Sequence, residues 1–236
     1  MKIRLFTIPT CITRLNLLCG IASIVLSLVY NNLQLAFLFV VVAAVCDFLD
    51  GFTARLLHQY SEVGVQLDSL ADMVSFGVAP AIAMSVLCGT MPSAFGLNDS
   101  WCEVLCYVPL LIALFSALRL AKFNIDETQK EEFEGLATPA SAILCLSLAT
   151  LCERYAIVVE LEWLVLISVL VSMMLISPVR MFSFKFKSWR WGDNKLRYTF
   201  LLLSVVALVL LRLYAVPAII VLYIALSTVR WIAQKR

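Results

Sequence analysis

The stretch DFLDGFTARLLHQYSEVGVQLDSLAD, residues 47–72, sets four carboxylates, Asp47, Asp50, Asp68 and Asp72, inside apolar segments of membrane-spanning length. A charged side chain at mid-bilayer costs about 2.5 to 3.5 kcal/mol on insertion scales and less toward a helix end, so four acids there need a compensating partner. Hard oxygen ligands suit a divalent cation or cation pair, Mg²⁺ or Mn²⁺. Asp47, Asp50 and Ala54 fall on one helix face, while Gly64, Asp68 and Asp72, four residues apart, form a stripe on the next helix. Two antiparallel helices would then present all four acids to one site. Gly51, Ala54 and Gly64 leave room beside the acids for a bulky planar or phosphorylated group to approach the backbone. Arg55 adds a forked cation suited to phosphate oxygens. Taken singly, the glycines also fit close helix packing and Arg55 an interfacial anchor; the joint pattern with the acids favours a site.

The rest of the chain supports a membrane setting for these acids. Of 236 residues, 62% are apolar and 14% charged, where a soluble domain has roughly half and about a quarter. The mean hydropathy is +0.96. A net charge of +2 without a basic reading module argues against a nucleic-acid partner. The eight cysteines form no CxxC pair and His58 is the only histidine, so no zinc or redox motif is written here.

Segments able to cross about 30 Å of hydrocarbon as helix fall near 10–30, 33–56, 64–90, 101–121, 136–152, 157–178, 196–213 and 215–232. The expected fold is an all-α, polytopic transmembrane helix bundle of about eight spans, one domain over 1–236; seven spans follow if the last two merge across Arg212-Leu213-Tyr214. With both termini cytoplasmic, only Arg154 and Arg212 of the 18 Lys and Arg residues lie outside, as the positive-inside bias requires. The first apolar run continues to Tyr30 without a small-residue cleavage site and reads as an uncleaved helix. This topology puts the acids near the cytoplasmic helix ends. Two polar stretches flank later spans on that side: an acidic one at 122–135 and a basic, aromatic one at 180–197 suited to the headgroup zone.

The pattern Asp47-x2-Asp50-Gly51-x2-Ala54-Arg55-x8-Gly64-x3-Asp68-x3-Asp72 resembles the signature of the CDP-alcohol phosphotransferases position for position. The flanking text resembles the CDP-diacylglycerol–serine O-phosphatidyltransferase branch of that family. The likeness runs through IPTCITRLNLLCG (8–20), LDSLADMVSFGVAPA (67–81), ALRLAKFN (117–124), FEGLATPASA (133–142), and Ser177 with SFK at 183–185. Thr10, Lys122 and Ala137 depart from it, standing where Asn, Arg and Pro are more usual. The resemblance implies an integral protein of the bacterial inner membrane, homodimeric, with its active site facing the cytoplasm. It implies that CDP-diacylglycerol, its diphosphate bridged by two divalent metals, is attacked by the L-serine hydroxyl to release CMP. On that likeness Asp47, Asp50 and Asp68 are metal ligands. Asp72 is the general base and a possible fourth ligand. Gly51, Ala54, Arg55 and Gly64 line the CDP pocket, and Ser69, Ser75, Arg119, Lys122 and Asn124 are further candidates for holding serine or lipid phosphate.

Glycerol 3-phosphate and inositol phosphate enzymes share the acidic signature, so the same chemistry with another acceptor is the first alternative. A membrane prenyltransferase also uses Asp-rich helices and Mg²⁺, but in two separated motifs, and none recurs in the second half here. A divalent-cation transporter would line a path with acids, whereas these four cluster at one end of two adjacent segments.

Overall fold

A computed structural model describes residues 7–59, 61–125, 133–181 and 191–234. The basic, aromatic stretch lies largely outside the described residues, as do the middle of the acidic stretch and the terminal charges at Lys2, Arg4, Lys235 and Arg236.

The architecture is all-α. In chain order the helices are α1 (Ile8–Leu28), α2 (Leu33–Leu56), α3 (Glu62–Asp72), α4 (Ala79–Thr90), α5 (Asp99–Leu105), α6 (Leu111–Ile125), α7 (Thr138–Tyr155), α8 (Leu161–Ile176), α9 (Trp191–Leu211) and α10 (Ala215–Gln234). A π-helical turn, Met73–Val78, joins α3 to α4 in one continuous rod. Two-residue strands β1 (Phe133–Glu134) and β2 (Arg180–Met181) pair antiparallel, Phe133 opposite Met181 and Glu134 opposite Arg180. They pin the chain entering α7 to the chain leaving α8.

Among the described residues, five helical stretches are long and apolar enough to cross a membrane, Ile8–Leu28, Leu33–Leu56, Glu62–Thr90, Asp99–Ile125 and Tyr198–Ala233, as expected of a polytopic membrane protein. Each of the eight apolar segments expected from sequence contains helix. α8 is apolar but only 16 residues long. α7 carries Thr138, Ser141, Ser147 and Thr150 and is buried by neighbouring helices along most of its length. Its hydropathy is modest because protein surrounds it. The last stretch is interrupted where the sequence placed a boundary: Arg212 takes a positive φ of 51° and Arg212–Tyr214 forms a 3₁₀ turn. Leu202, Val205, Val209 and Leu210 of α9 stand exposed, the expected dress of a lipid-facing helix.

Side-chain caps set the helix starts. Thr7 and Thr10 form a reciprocal capping box at α1, with Pro9 in the first turn. Ser61 Oγ accepts from Gly64 N at 2.9 Å to start α3. The N-terminus of α2 is held by Asn32 and also by Glu153 of α7, whose carboxylate accepts from Leu33 N (3.1 Å) and Gln34 N (2.9 Å). An acid at that position satisfies orphan amides and complements the helix dipole.

Helix α1 is the element around which the acidic region is built. It packs along α2 and also against α3 and the π turn, whereas α2 and α3 scarcely touch one another. The contact with the π turn depends on Gly20, where an added Cβ would overlap the Ser75 backbone and hydroxyl. Gly20→Ala is therefore expected to destabilise the fold by about 1 to 3 kcal/mol. Thermal unfolding in detergent checks this, with a lowered Tm as the outcome and an unchanged Tm counting against the close approach.

Candidate metal and substrate site

Asp47 and Asp50 sit three and two turns before the end of α2, and Asp68 and Asp72 in the last two turns of α3. At 1.5 Å per residue this places both pairs roughly 9 to 15 Å inside the near helix ends, one layer crossing a cleft floored by α1. One carboxylate oxygen from each of Asp47, Asp50 and Asp68 lies within 4.8 Å of the others. Asp50 is buried and the other two half-buried. Asp50 Oδ2 and Asp68 Oδ1 are buried without a hydrogen-bond donor. If ionised, two such charges repel by about 3 kcal/mol or more at an effective dielectric of about 20. A cluster of anionic oxygens with orphaned lone pairs fits a hard divalent cation, and among the described residues it is the group that could hold one.

Asp72 neighbours that trio and has a partner of its own. It is buried, and its Oδ1 accepts from Asn16 Nδ2 of α1 at 3.1 Å. The four carboxylates expected at one site therefore divide their contacts: three bring oxygens together within 4.8 Å, and Asp72 shares the second cavity with Asp47 and Asp68.

Two cavities meet at Asp68. The first, about 280 Å³, is bounded by Asp50, Gly51, Ala54 and Arg55 of α2, by Ser61, Gly64 and Asp68 at the α3 end, and by Pro9, Thr10 and Thr13 of α1. The N-termini of α1 and α3 both open into it, and with Arg55 they favour a negatively charged occupant. A Cβ at Gly51 would meet nothing within 4 Å, so this glycine keeps open space at the cavity wall. Gly64 differs, since a Cβ there would crowd its own capping hydroxyl on Ser61 at 2.9 Å.

The second cavity, about 250 Å³, is lined by Asp47, Asp68, Ser69 and Asp72 on one side and by Arg119, Phe123 and Thr138 on the other. Arg119, brought in by α6, has its Nε buried without a hydrogen-bond partner. Ser69 Oγ accepts from Asn124 Nδ2 at 2.8 Å, tying α3 to the end of α6.

The remaining sequence candidates fall outside these cavities. Lys122 pairs with Glu134 at 2.8 Å, exposed and beside a small crevice that reaches Arg119 and Ser177. Ser75 is buried in the π turn and donates to Asn16 O at 3.0 Å, so it fastens α1 and does not face a ligand space. The residues that sequence reading missed are on α1: Thr10 and Thr13 at the first cavity and Asn16 at Asp72. Their signal was present as a polar stripe, Thr10, Thr13, Asn16, Ser23 and Ser27, on one buried side of an otherwise apolar helix.

Comparison with known proteins agrees with this geometry. Residues 6–160, which hold Asp47, Asp50, Asp68, Asp72 and both cavities, match the family model described as CDP-alcohol phosphatidyltransferase. A CDP-diacylglycerol–serine O-phosphatidyltransferase of Helicobacter pylori (strain J99) is 31% identical over 237 residues, covering 97% of this chain and 92% of the relative. The enzyme of the same name from Bacillus subtilis (strain 168) is 39% identical over 140 residues, 59% of this chain and 72% of the relative. That from Methanocaldococcus jannaschii is 31% identical over 177 residues, 75% and 74% of the two chains. With its acids on two helices of a membrane bundle and a match along most of its length, this chain belongs to the CDP-alcohol phosphatidyltransferase family.

Proposed function

We propose that the protein transfers a phosphatidyl group from CDP-diacylglycerol to L-serine, giving phosphatidylserine and CMP. The observation that carries this reading is the pair of cavities joined at Asp68, one suited to a nucleotide diphosphate and one to a small polar acceptor. The relatives named above are serine phosphatidyltransferases by name.

In this reading Asp47, Asp50 and Asp68 hold two divalent cations, Mg²⁺ or Mn²⁺. Once bound, these would neutralise the diphosphate and the charge that develops on the departing CMP phosphate. Arg55 contacts phosphate oxygens, and Gly51, Ala54 and Gly64 let the cytidine side approach the α2 and α3 backbones. Serine enters the second cavity with its carboxylate toward Arg119 and its hydroxyl toward Asp72. Asp72 takes the hydroxyl proton as the serine oxygen bonds to the lipid-side phosphorus and the bond to CMP breaks. Ser69, held by Asn124, is placed to order the acceptor; Lys122 and Ser75 act at a distance through Glu134 and α1.

The setting that goes with this chemistry is one membrane domain over 1–236, eight spans with both termini cytoplasmic, in a bacterial inner membrane. α7 counts as a span despite its polarity because the bundle encloses most of it, and α8 despite its 16 residues because its outward side, Trp163, Leu166, Leu170 and Met173, is apolar and exposed as a lipid-facing surface would be. The distribution of Lys and Arg supports an acidic cleft open to the cytoplasm, where serine is dissolved. A homodimer completes the picture, and light scattering in detergent tests it: a fully active particle of one 26.3 kDa protein mass refutes the dimer.

The acceptor is tested by CMP release from CDP-diacylglycerol with serine, glycerol 3-phosphate or inositol phosphate, each with and without chelator. Chelator-sensitive release with serine alone is expected; release with another alcohol at equal rate overturns the assignment. Asp50→Asn keeps volume but loses anionic charge, and should give a folded protein with under about a tenth of the wild-type rate at saturating Mg²⁺ and weakened Mn²⁺ binding by electron paramagnetic resonance.

Arg55→Lys keeps charge yet loses the fork, so the KM for CDP-diacylglycerol should rise. An unchanged KM would leave Arg55 an interfacial anchor. Gly51→Ala should behave oppositely in fold and function. Alanine favours a helix interior by about 1 kcal/mol over glycine, so Tm should hold or rise while CDP-diacylglycerol binding weakens in the narrowed cavity.

A further inference from the structure

Asn16 is wholly buried in the middle of a transmembrane helix, with its amide directed at Asp72 and its side-chain oxygen, Oδ1, left without a hydrogen-bond partner. Packing does not account for that choice. A buried amide with an orphaned acceptor is less favourable than an apolar residue of similar shape, so stability alone would favour a leucine. The amide has a defined target, since Nδ2 facing a carboxylate oxygen is attractive and Oδ1 facing it would be two acceptors in contact.

The local backbone holds this pair in place. The carbonyl of Asn16 accepts from Ser75 Oγ at 3.0 Å, and Gly20, one turn further on, lets α1 lie directly against Ser75. The π turn begins at Met73, immediately after Asp72. The main chain on both sides of the contact is therefore fixed: α1 through its carbonyl and glycine, and α3 through the turn that follows the acid. Asp72 borders the second cavity together with Asp47, Asp68 and Arg119.

We propose that Asn16 is a positioning residue for Asp72, holding one carboxylate oxygen so that the other is presented to the acceptor hydroxyl in the second cavity. The inference rests on the reading of Asp72 as the proton acceptor. Asn16 touches no substrate in this account and acts only through Asp72.

The test is a double-mutant cycle with Asn16→Leu and Asp72→Asn in the full-length protein in lipid nanodiscs, following CMP release with radiolabelled substrate. Asn16→Leu is expected to lower kcat by about 10- to 100-fold, the usual effect of removing an outer partner of a site carboxylate. The KM for CDP-diacylglycerol and Mn²⁺ binding by electron paramagnetic resonance should stay unchanged. In the Asp72→Asn background the same substitution should cost less than about twofold, because the group it orients is gone. An equal loss in both backgrounds, or loss of Mn²⁺ binding, makes Asn16 a packing residue and overturns the inference. If Asn16→Leu does not accumulate folded, Asn16→Ala, which removes the amide without adding bulk, is taken through the same cycle. Full activity of Asp72→Asn would remove the base assignment and the inference with it, whereas an inactive Asp72→Asn beside a fully active Asn16→Leu would remove the inference alone.

Discussion

Three carboxylates held within 4.8 Å of one another at membrane depth is the arrangement on which the rest of the structure depends. Left alone the groups repel, and each loses hydration on burial. A helix hairpin closed on itself would either drive them apart or seal them from any counter-ion. The fold resolves this by laying α2 and α3 on α1 instead of on each other. The acids then face across an open cleft whose geometry is set by α1, and a cation can enter where a direct helix–helix seam would have excluded it.

The surrounding bundle keeps that cleft at fixed width. α7 runs through the interior against α2, α4 and the π turn, and its Glu153 reaches across to hold the start of α2. The same α2 carries Asp47 and Asp50 near its other end, so the helix is anchored at the end remote from the site. On the opposite wall α6 packs on the π turn and delivers Arg119 to the second cavity. Short pairing of β1 with β2 then ties the segment before α7 to the end of α8, closing the far side of the crevice beside Ser177.

Much of this was legible in the sequence because it is local. The four acids and their spacing, the small residues beside them and the break at Arg212 are written in neighbouring residues, and the structure puts the break at Arg212–Tyr214. What escaped was tertiary. Nothing local says that α1 rather than α3 is the chief neighbour of α2, or that Ser75 turns toward α1 and away from a ligand space. Hydropathy also misleads for α7, since it measures what a helix would show to lipid, and α7 shows its surface to protein. Asn16 was readable only as a polar residue in an apolar run; its partner lies 56 residues away.

The π turn between Asp72 and Ala79 gives the long rod a break in phase. A π turn holds one more residue than an α turn, so residues beyond it are rotated by about 100° relative to an uninterrupted helix. Upstream of the break, Gly64, Asp68 and Asp72 point into the cleft. Downstream, Ala79, Ala83 and Leu87 are buried in the apolar interior. One rod therefore serves two environments that a regular helix of the same sequence could not face together. Its reading frame matters in a way that composition does not: removing a single residue between Met73 and Val78 would leave every side chain present, yet swing either the acids or the core face out of alignment.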